Sequence, residues 1–160
     1  MSSIEAQVSC GEISLRAGDS AADELRDTYV RNHPRATFFH LAGWRRVVER
    51  VHGHAPHDLY AWDADRLVGV LPLMLCRGLV RPRVLLSMPY ATYGGPIADD
   101  PAIEKQLVDR ARALAQELGV SYLELRCIED IGLDLVTSDL YCTFRRELSS
   151  RRRTARNVLE

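Results

Sequence analysis

The stretch "SMPYATYGGPIADDP", Ser87–Pro101, decides how this chain is read. An apolar strand ends on its left, a Gly-Gly turn follows, and Asp-Asp-Pro opens a helix on its right. In α/β proteins such a junction gathers a phosphate, through backbone N–H groups and the helix dipole. Three features oppose that here. Pro96 and Pro101 have no N–H to give. Asp99 and Asp100 place negative charge where the dipole would otherwise attract an anion. No basic residue lies in the stretch. The turn reads instead as a contact for a different ligand. Tyr90 and Tyr93 flank it, and Gly94 and Gly95 permit positive φ and close approach. Two phenols offer stacking faces and hydrogen bonds to a sugar or peptide. The plainer alternative is that both rings pack on the sheet and the glycines only make a turn.

To the right, "DDPAIEKQLVDRARALAQELG" (Asp99–Gly119) is the clearest helix of the sequence. Asp99 or Asp100 caps it, Leu107, Ala111, Leu114 and Leu118 form its apolar stripe, and Gly119 ends it. "VSYLELRC" (Val120–Cys127) then alternates as a strand. It sets Tyr122, Glu124 and Arg126 on one face. Arg126 is placed to grip a carboxylate or phosphate; the alternative is a surface pair with Glu124. A short helical turn over "IGLDLV" (Ile131–Val136) and a last strand, "LYCTFRREL" (Leu140–Leu148), complete this side.

To the left, "RVLLSM" (Arg83–Met88) is a strand, preceded by a hairpin of "HDLYAW" (His57–Trp62) and "LVGVLPLMLCR" (Leu67–Arg77). Near-continuous apolarity argues burial on both faces, and Pro72 argues a bulge or a lost ladder bond. Two helices come before the hairpin. In the first, Asp19–Val30, Ser20 is the cap and Leu25 and Tyr29 face inward. In the second, Leu41–Gly53, Leu41, Trp44, Val48 and Val51 share the inner face, Arg45 and Arg46 point elsewhere, and Gly53 is the stop. His40 caps this helix or faces a cleft. "EISLR" (Glu12–Arg16) is a first short strand. The order β-α-α-β-β-β-α-β-(α)-β gives a mixed α/β fold with helices on both faces of one mainly antiparallel sheet.

The chain has 160 residues and a formal net charge of −1, with 46% hydrophobic and 27% charged residues. This suits one soluble domain and excludes a chain-wide polyanion binder. Charge is uneven: Arg145–Glu160 holds six Arg against two Glu. A solvated tail or the start of another domain is the ordinary reading of such a run; RNA or an anionic lipid surface is the sharper one. The four cysteines are too far apart for a zinc site or a disulfide framework, and read as buried thiols. His52, His54 and His57 in "HGHAPH" lack a further partner, so no metal and no cofactor are expected. The longest apolar run, Leu67–Cys76, is half what a membrane helix needs, and the N-terminus has no signal pattern. A cytoplasmic protein with no integral membrane segment is expected.

"FFHLAGWRRVVERVHGH", "VGVLPLMLCRG", "SMPYATYGGPIADDP" and "ELGVSYLELR", in that order, resemble the N-terminal half of FemAB-related proteins, in the branch associated with PEP-CTERM/exosortase and exopolysaccharide systems. The resemblance covers roughly Thr37–Glu147. It implies a GNAT-like acyltransferase domain over residues 1–148, with 149–160 a basic tail or the start of a second domain, since such proteins run to about twice this length. It also implies N-acyl or aminoacyl transfer to a cell-envelope, exopolysaccharide or peptidoglycan precursor, with aminoacyl-tRNA as a donor in a full-length enzyme. A GNAT enzyme's coenzyme A loop carries Arg or Gln, two residues, Gly, one residue, then Gly or Ala. The matching positions here are Ala91, Gly94 and Pro96, so the basic residue is missing. Tyr90, Tyr93, Gly94, Gly95, Arg126 and His40 are the expected substrate contacts; no catalytic base is assigned. A non-catalytic saccharide- or peptide-binding module and a plain acetyl-CoA-dependent acetyltransferase are the alternatives. A lone half of such a protein would self-associate through the edge offered by Leu140–Leu148.

Overall fold

The computed structural model describes residues 12–77, 82–138 and 144. Strands β1 (Ile13–Ala17), β3 (Leu59–Asp63), β4 (Arg66–Leu71) and β7 (Ile97–Ala98) form one sheet, in the order β1-β3-β4-β7. Strands β2 (Ala55–Pro56), β5 (Met74–Cys76), β6 (Val84–Leu86) and β8 (Leu123–Glu124) form a second, in the order β2-β5-β6-β8. Every pair is antiparallel except β6–β8, which is parallel, with Leu85 opposite Leu123. Helices α1 (Asp23–Asn32) and α2 (Ala42–His52) precede the hairpin, and α3 (Pro101–Glu117) joins β7 to β8.

The expected single sheet is divided in two, and Pro72 is the reason. The predicted long strand breaks into β4 and β5, with Pro72 and Leu73 between them. The freed Leu73 N–H donates to Asp58 Oδ1 at 3.0 Å, and His57 N–H donates to Leu73 O at 2.8 Å. The Asp58 side chain thus accepts from the N–H that the broken ladder leaves beside the proline.

The hairpin is buried on both sides, as its apolarity implied. Leu59 and Ala61 pack with Leu107 and Ala111 of α3, while Tyr60 and Trp62 pack with Val30 of α1. This is period-two alternation between two helical layers. Leu71, Leu73, Leu75 and Leu85 are at most 1% exposed. Such a side chain contributes about 1.5–3 kcal/mol on burial. Helix ends follow the sequence signals. Asp100 Oδ1 accepts from Ala102 N–H at 2.6 Å, and Gly53 and Gly119 adopt φ of 65° and 59° at the two stops.

Several expectations change. Asp19, not Ser20, receives the first N–H, from Ala22, and a 3-10 turn at Ser20–Ala22 precedes α1. Leu25 and Val51 face solvent, whereas Arg26 and Arg45 are buried. The stretch Ile131–Val136 forms bends, not a helical turn. The predicted strand Leu140–Leu148, apart from Phe144, and the basic run after it lie outside the described residues, as do Cys10 and Cys142. Among the described residues no helix is long and apolar enough to cross a membrane, and no His/Cys/Asp/Glu group of three is placed to hold a metal.

Candidate functional site

A cleft of about 140 Å³ opens where β6 and β8 end. Its walls come from three segments: Pro34–Ala36 with His40, the Tyr93–Ile97 end of the quoted stretch, and Arg126–Glu129 beyond β8. Two of these segments are stitched together. Ser87 N–H donates to Glu124 O at 2.9 Å, and Arg126 N–H donates to Ser87 Oγ at 2.7 Å. Gly94 and Gly95 N–H then both donate to Arg126 O, at 2.9 and 3.0 Å.

The glycines are required for closeness, not for positive φ. Neither is among the residues with φ above zero. A Cβ on Gly94 would sit 2.7 Å from Met88 Cβ, and one on Gly95 would sit 2.6 Å from Cys127 Sγ. The left-handed residues of this loop are instead Met88 (φ 56°) and Tyr90 (φ 59°), conformations that side chains disfavour.

His40 fixes the third wall. It is 2% exposed. Its Nδ1 accepts from Thr37 N–H at 3.0 Å, so Nε2 carries the proton and donates to Gly95 O at 3.0 Å. Burial holds its pKa down at about 4, so the ring is neutral at pH 7. Both nitrogens are engaged, which makes His40 a positioning residue and not a general base. The turn Phe38–His40 is anchored from below: Arg26 Nε donates to His40 O at 2.7 Å, and Arg26 is paired with Asp58. Arg45 reaches the same carboxylate at 3.4 Å and binds Asp23 at 2.7 Å. A buried ionic chain therefore runs from the break at Pro72 to the cleft wall.

The six expected contacts do not form one group. Tyr93, Gly95, Arg126 and His40 line the cleft. Gly94 lies behind it, packed on Met88. Tyr90 lies outside the cleft lining, 56% exposed, with its ring on His52 at 3.9 Å. Arg126 also departs from the expected anion grip. Its Nε donates to Glu124 Oε1 of β8 at 2.8 Å and its Nη1 to Ala91 O of the loop at 2.9 Å, so two of its three nitrogens are engaged within the protein. Arg35, Cys127 and Glu129 complete the polar lining; sequence reasoning missed them because nothing local marks them. Burial raises the Cys127 thiol to about 11, so it is protonated at pH 7.

The phosphate question has a geometric answer at the quoted stretch. The Gly94 and Gly95 N–H groups are spent on Arg126 O. At the start of α3 Pro101 has none, and the N–H groups of Ala102, Ile103 and Glu104 point to Asp100. Asp99 is held aside by Tyr29 and Arg66, at 3.0 and 2.8 Å.

No protein-family model matches the chain, and no curated protein matches it. Solved structures do. The ribosomal-protein-alanine N-acetyltransferase of Brucella melitensis biovar Abortus 2308 superposes with a TM-score of 0.57 at 14% identity, over 84% of this chain and 99% of that one. The fold is that of the GNAT acetyltransferases. An aminoglycoside 6′-N-acetyltransferase from Acinetobacter haemolyticus matches the GNAT fold of this chain at TM-score 0.52 and 8% identity, covering 84% and 99%. A protein described as a transcriptional regulator, from Bacillus halodurans C-125, matches at 0.53 and 15%, covering 82% and 99%. FemX aligns over 65% of this chain and 24% of its own, at 16% identity and TM-score 0.49, too loosely to bear on the Fem branch.

Proposed function

We propose that this GNAT-fold chain is an acyltransferase domain of FemAB type, working on a cell-envelope, exopolysaccharide or peptidoglycan precursor held in the cleft at the end of β6 and β8. The observation that carries the reading is the spending of backbone donors. A fold shared with acetyltransferases leaves the donor open, and here the N–H groups that could meet a pyrophosphate are bonded to Arg126 O and Asp100. An acyl donor that needs no phosphate cradle at this junction, such as an aminoacyl ester on tRNA, fits that geometry better than acetyl-coenzyme A.

In this reading the protein works by placement. The acceptor amine sits against Tyr93 and the rigid Gly95 edge. His40 and Arg126 hold that edge in register. Glu129 and Tyr93 are the lining groups able to accept or relay the amine proton.

The test pairs a binding and a transfer measurement. Calorimetric titration with acetyl-coenzyme A at low salt is expected to show no saturable site; one-site micromolar binding would return the chain to the ordinary acetyltransferases. Incubation with mixed charged tRNAs and a peptidoglycan or exopolysaccharide precursor, read by mass spectrometry, is expected to show an aminoacyl adduct that Tyr93→Ala weakens roughly ten- to hundredfold. An adduct indifferent to Tyr93→Ala and Glu129→Gln would remove the cleft from the reaction.

A further inference from the structure

The other end of the same loop carries a second surface that the cleft does not use. Tyr90 sits on the His52 ring at 3.9 Å with 21° between planes. His54 is parallel to Tyr90 within 6°, at 5.9 Å, and its Nε2 lies 3.2 Å from the Tyr90 hydroxyl. His52 and His54 are themselves only 5.9 Å apart. With its centroid 5.9 Å from each of the other two rings, His54 lies beside the stacked pair and not opposite His52. The remaining face is clear of both, on a residue 56% exposed.

This exposed ring is held at a conformational cost. Tyr90 has φ 59° and Met88 has φ 56°. Two left-handed non-glycine residues within three positions persist only where the surroundings fix them, and such strain gathers at ligand sites. The surroundings are visible: Met88 and Ala91 are buried against Val48 of α2 on either side of Tyr90. The chain therefore folds its loop so that the residue between two buried anchors shows an aromatic face to solvent.

We propose that the open face of Tyr90, backed by His52 and edged by His54, is a stacking subsite for a neutral pyranose ring, separate from the cleft and independent of the transfer chemistry assigned there. A pyranose offers an apolar face of axial C–H groups to an aromatic ring and equatorial hydroxyls to its polar edge. The edge here is the Tyr90 hydroxyl with His54 Nε2. The charge around it suits a neutral ring. Burial and the neighbouring His52 hold His54 below the usual imidazole range. The adjacent Arg126, bonded to Ala91 O, is neutralised by Glu124.

Saturation-transfer NMR on the intact 160-residue chain tests this, with methyl β-D-glucopyranoside and N-acetylglucosamine as probes and adenosine as the planar competitor. Transfer to the axial ring protons of a sugar is expected for the native chain. It should weaken at least tenfold in Tyr90→Gly, which keeps the fold because glycine adopts φ 59° freely. Tyr90→Asn, also tolerant of that conformation, should behave alike. Tyr122→Ala, which removes a comparably exposed ring outside both surfaces, should leave the sugar signal unchanged, so that loss in the Tyr90 variants alone, with the cleft intact, assigns the signal to this subsite. No sugar signal in the native chain, a signal indifferent to both Tyr90 variants, or binding of adenosine alone would overturn the proposal.

Discussion

Two places in this molecule bridge a break between strands, and they do it in opposite ways. At Pro72–Leu73 the gap between β4 and β5 is filled by charge. Asp58, 1% exposed, takes the orphan Leu73 N–H and two arginines. At the end of β6 and β8 the gap is filled by neutral backbone, with two glycine N–H groups on one carbonyl and a neutral histidine behind them. The first is buried, and holds α1, α2, the sheet and the His40 turn together. The second lines the cleft. The buried charge is nearly complete in its partners, with Arg26 Nη2 and Arg45 Nε left without a hydrogen bond; the Gly95 edge of the cleft is neutral, and the charge of the lining stands apart from it on Arg35, Arg126 and Glu129. The difference teaches that the conspicuous ionic cluster of this chain is scaffold, and that the site is marked by close packing.

That contrast can be broken most directly at Asp58. Asp58→Ala leaves Arg26 and Arg45 buried with a lost partner, and should cost about 3–5 kcal/mol in urea unfolding. A loss below about 1 kcal/mol would mean that the cluster is not the clamp described. The neutral junction has its own signature in pH. His40 is held at about 4 when folded against about 6.5 in an unfolded chain. Its neutral form is therefore favoured by folding. The contribution is complete above about pH 6.5, and is lost as pH falls through 4, reaching up to about 3 kcal/mol. His40→Asn should flatten this part of the stability–pH profile; an unchanged slope between pH 6.5 and 4 would count against it.

A smaller effect sharpens the packing half of the comparison. Gly95→Ala forces a Cβ into Cys127 and should cost about 1–3 kcal/mol, while Gly43→Ala, whose Cβ would meet nothing nearer than 3.9 Å from Arg46, should cost nothing. Equal stabilities would sink the claim that Gly95 is chosen for closeness. The smallest effect separates strain from packing within the loop. Tyr90→Gly relieves a left-handed φ and should be neutral or stabilising by about 1 kcal/mol, with the melting temperature unchanged or raised. A marked fall would show that Tyr90 is core.

What the sequence revealed depended on whether a signal was local. Pro72 announced its break, and Asp100, Gly53 and Gly119 announced helix ends, because capping and proline sterics act within a few residues. The two-sided burial of Leu67–Leu71 was legible in its near-continuous apolarity. The inner faces of α1 and α2 were misread at Leu25, Val51 and Arg45, since hydropathy assigns leucine and valine inward and arginine outward. It cannot register that Asp58, thirteen residues after Arg45, supplies a buried countercharge.

The sequence by itself determined the succession of the three helices and the main strands between them, the mixed α/β class and a junction at Ser87–Pro101 poor in phosphate donors, all consequences of short-range backbone chemistry. Only the tertiary structure decided that Tyr90 and Tyr93, three residues apart, lie on different surfaces. It also decided that Gly95 is a glycine because Cys127 lies against it. The reason is physical: contact between segments 32 residues apart depends on how β8 comes to lie parallel to β6, which is settled by packing α3 on the sheet and leaves no mark in either segment alone.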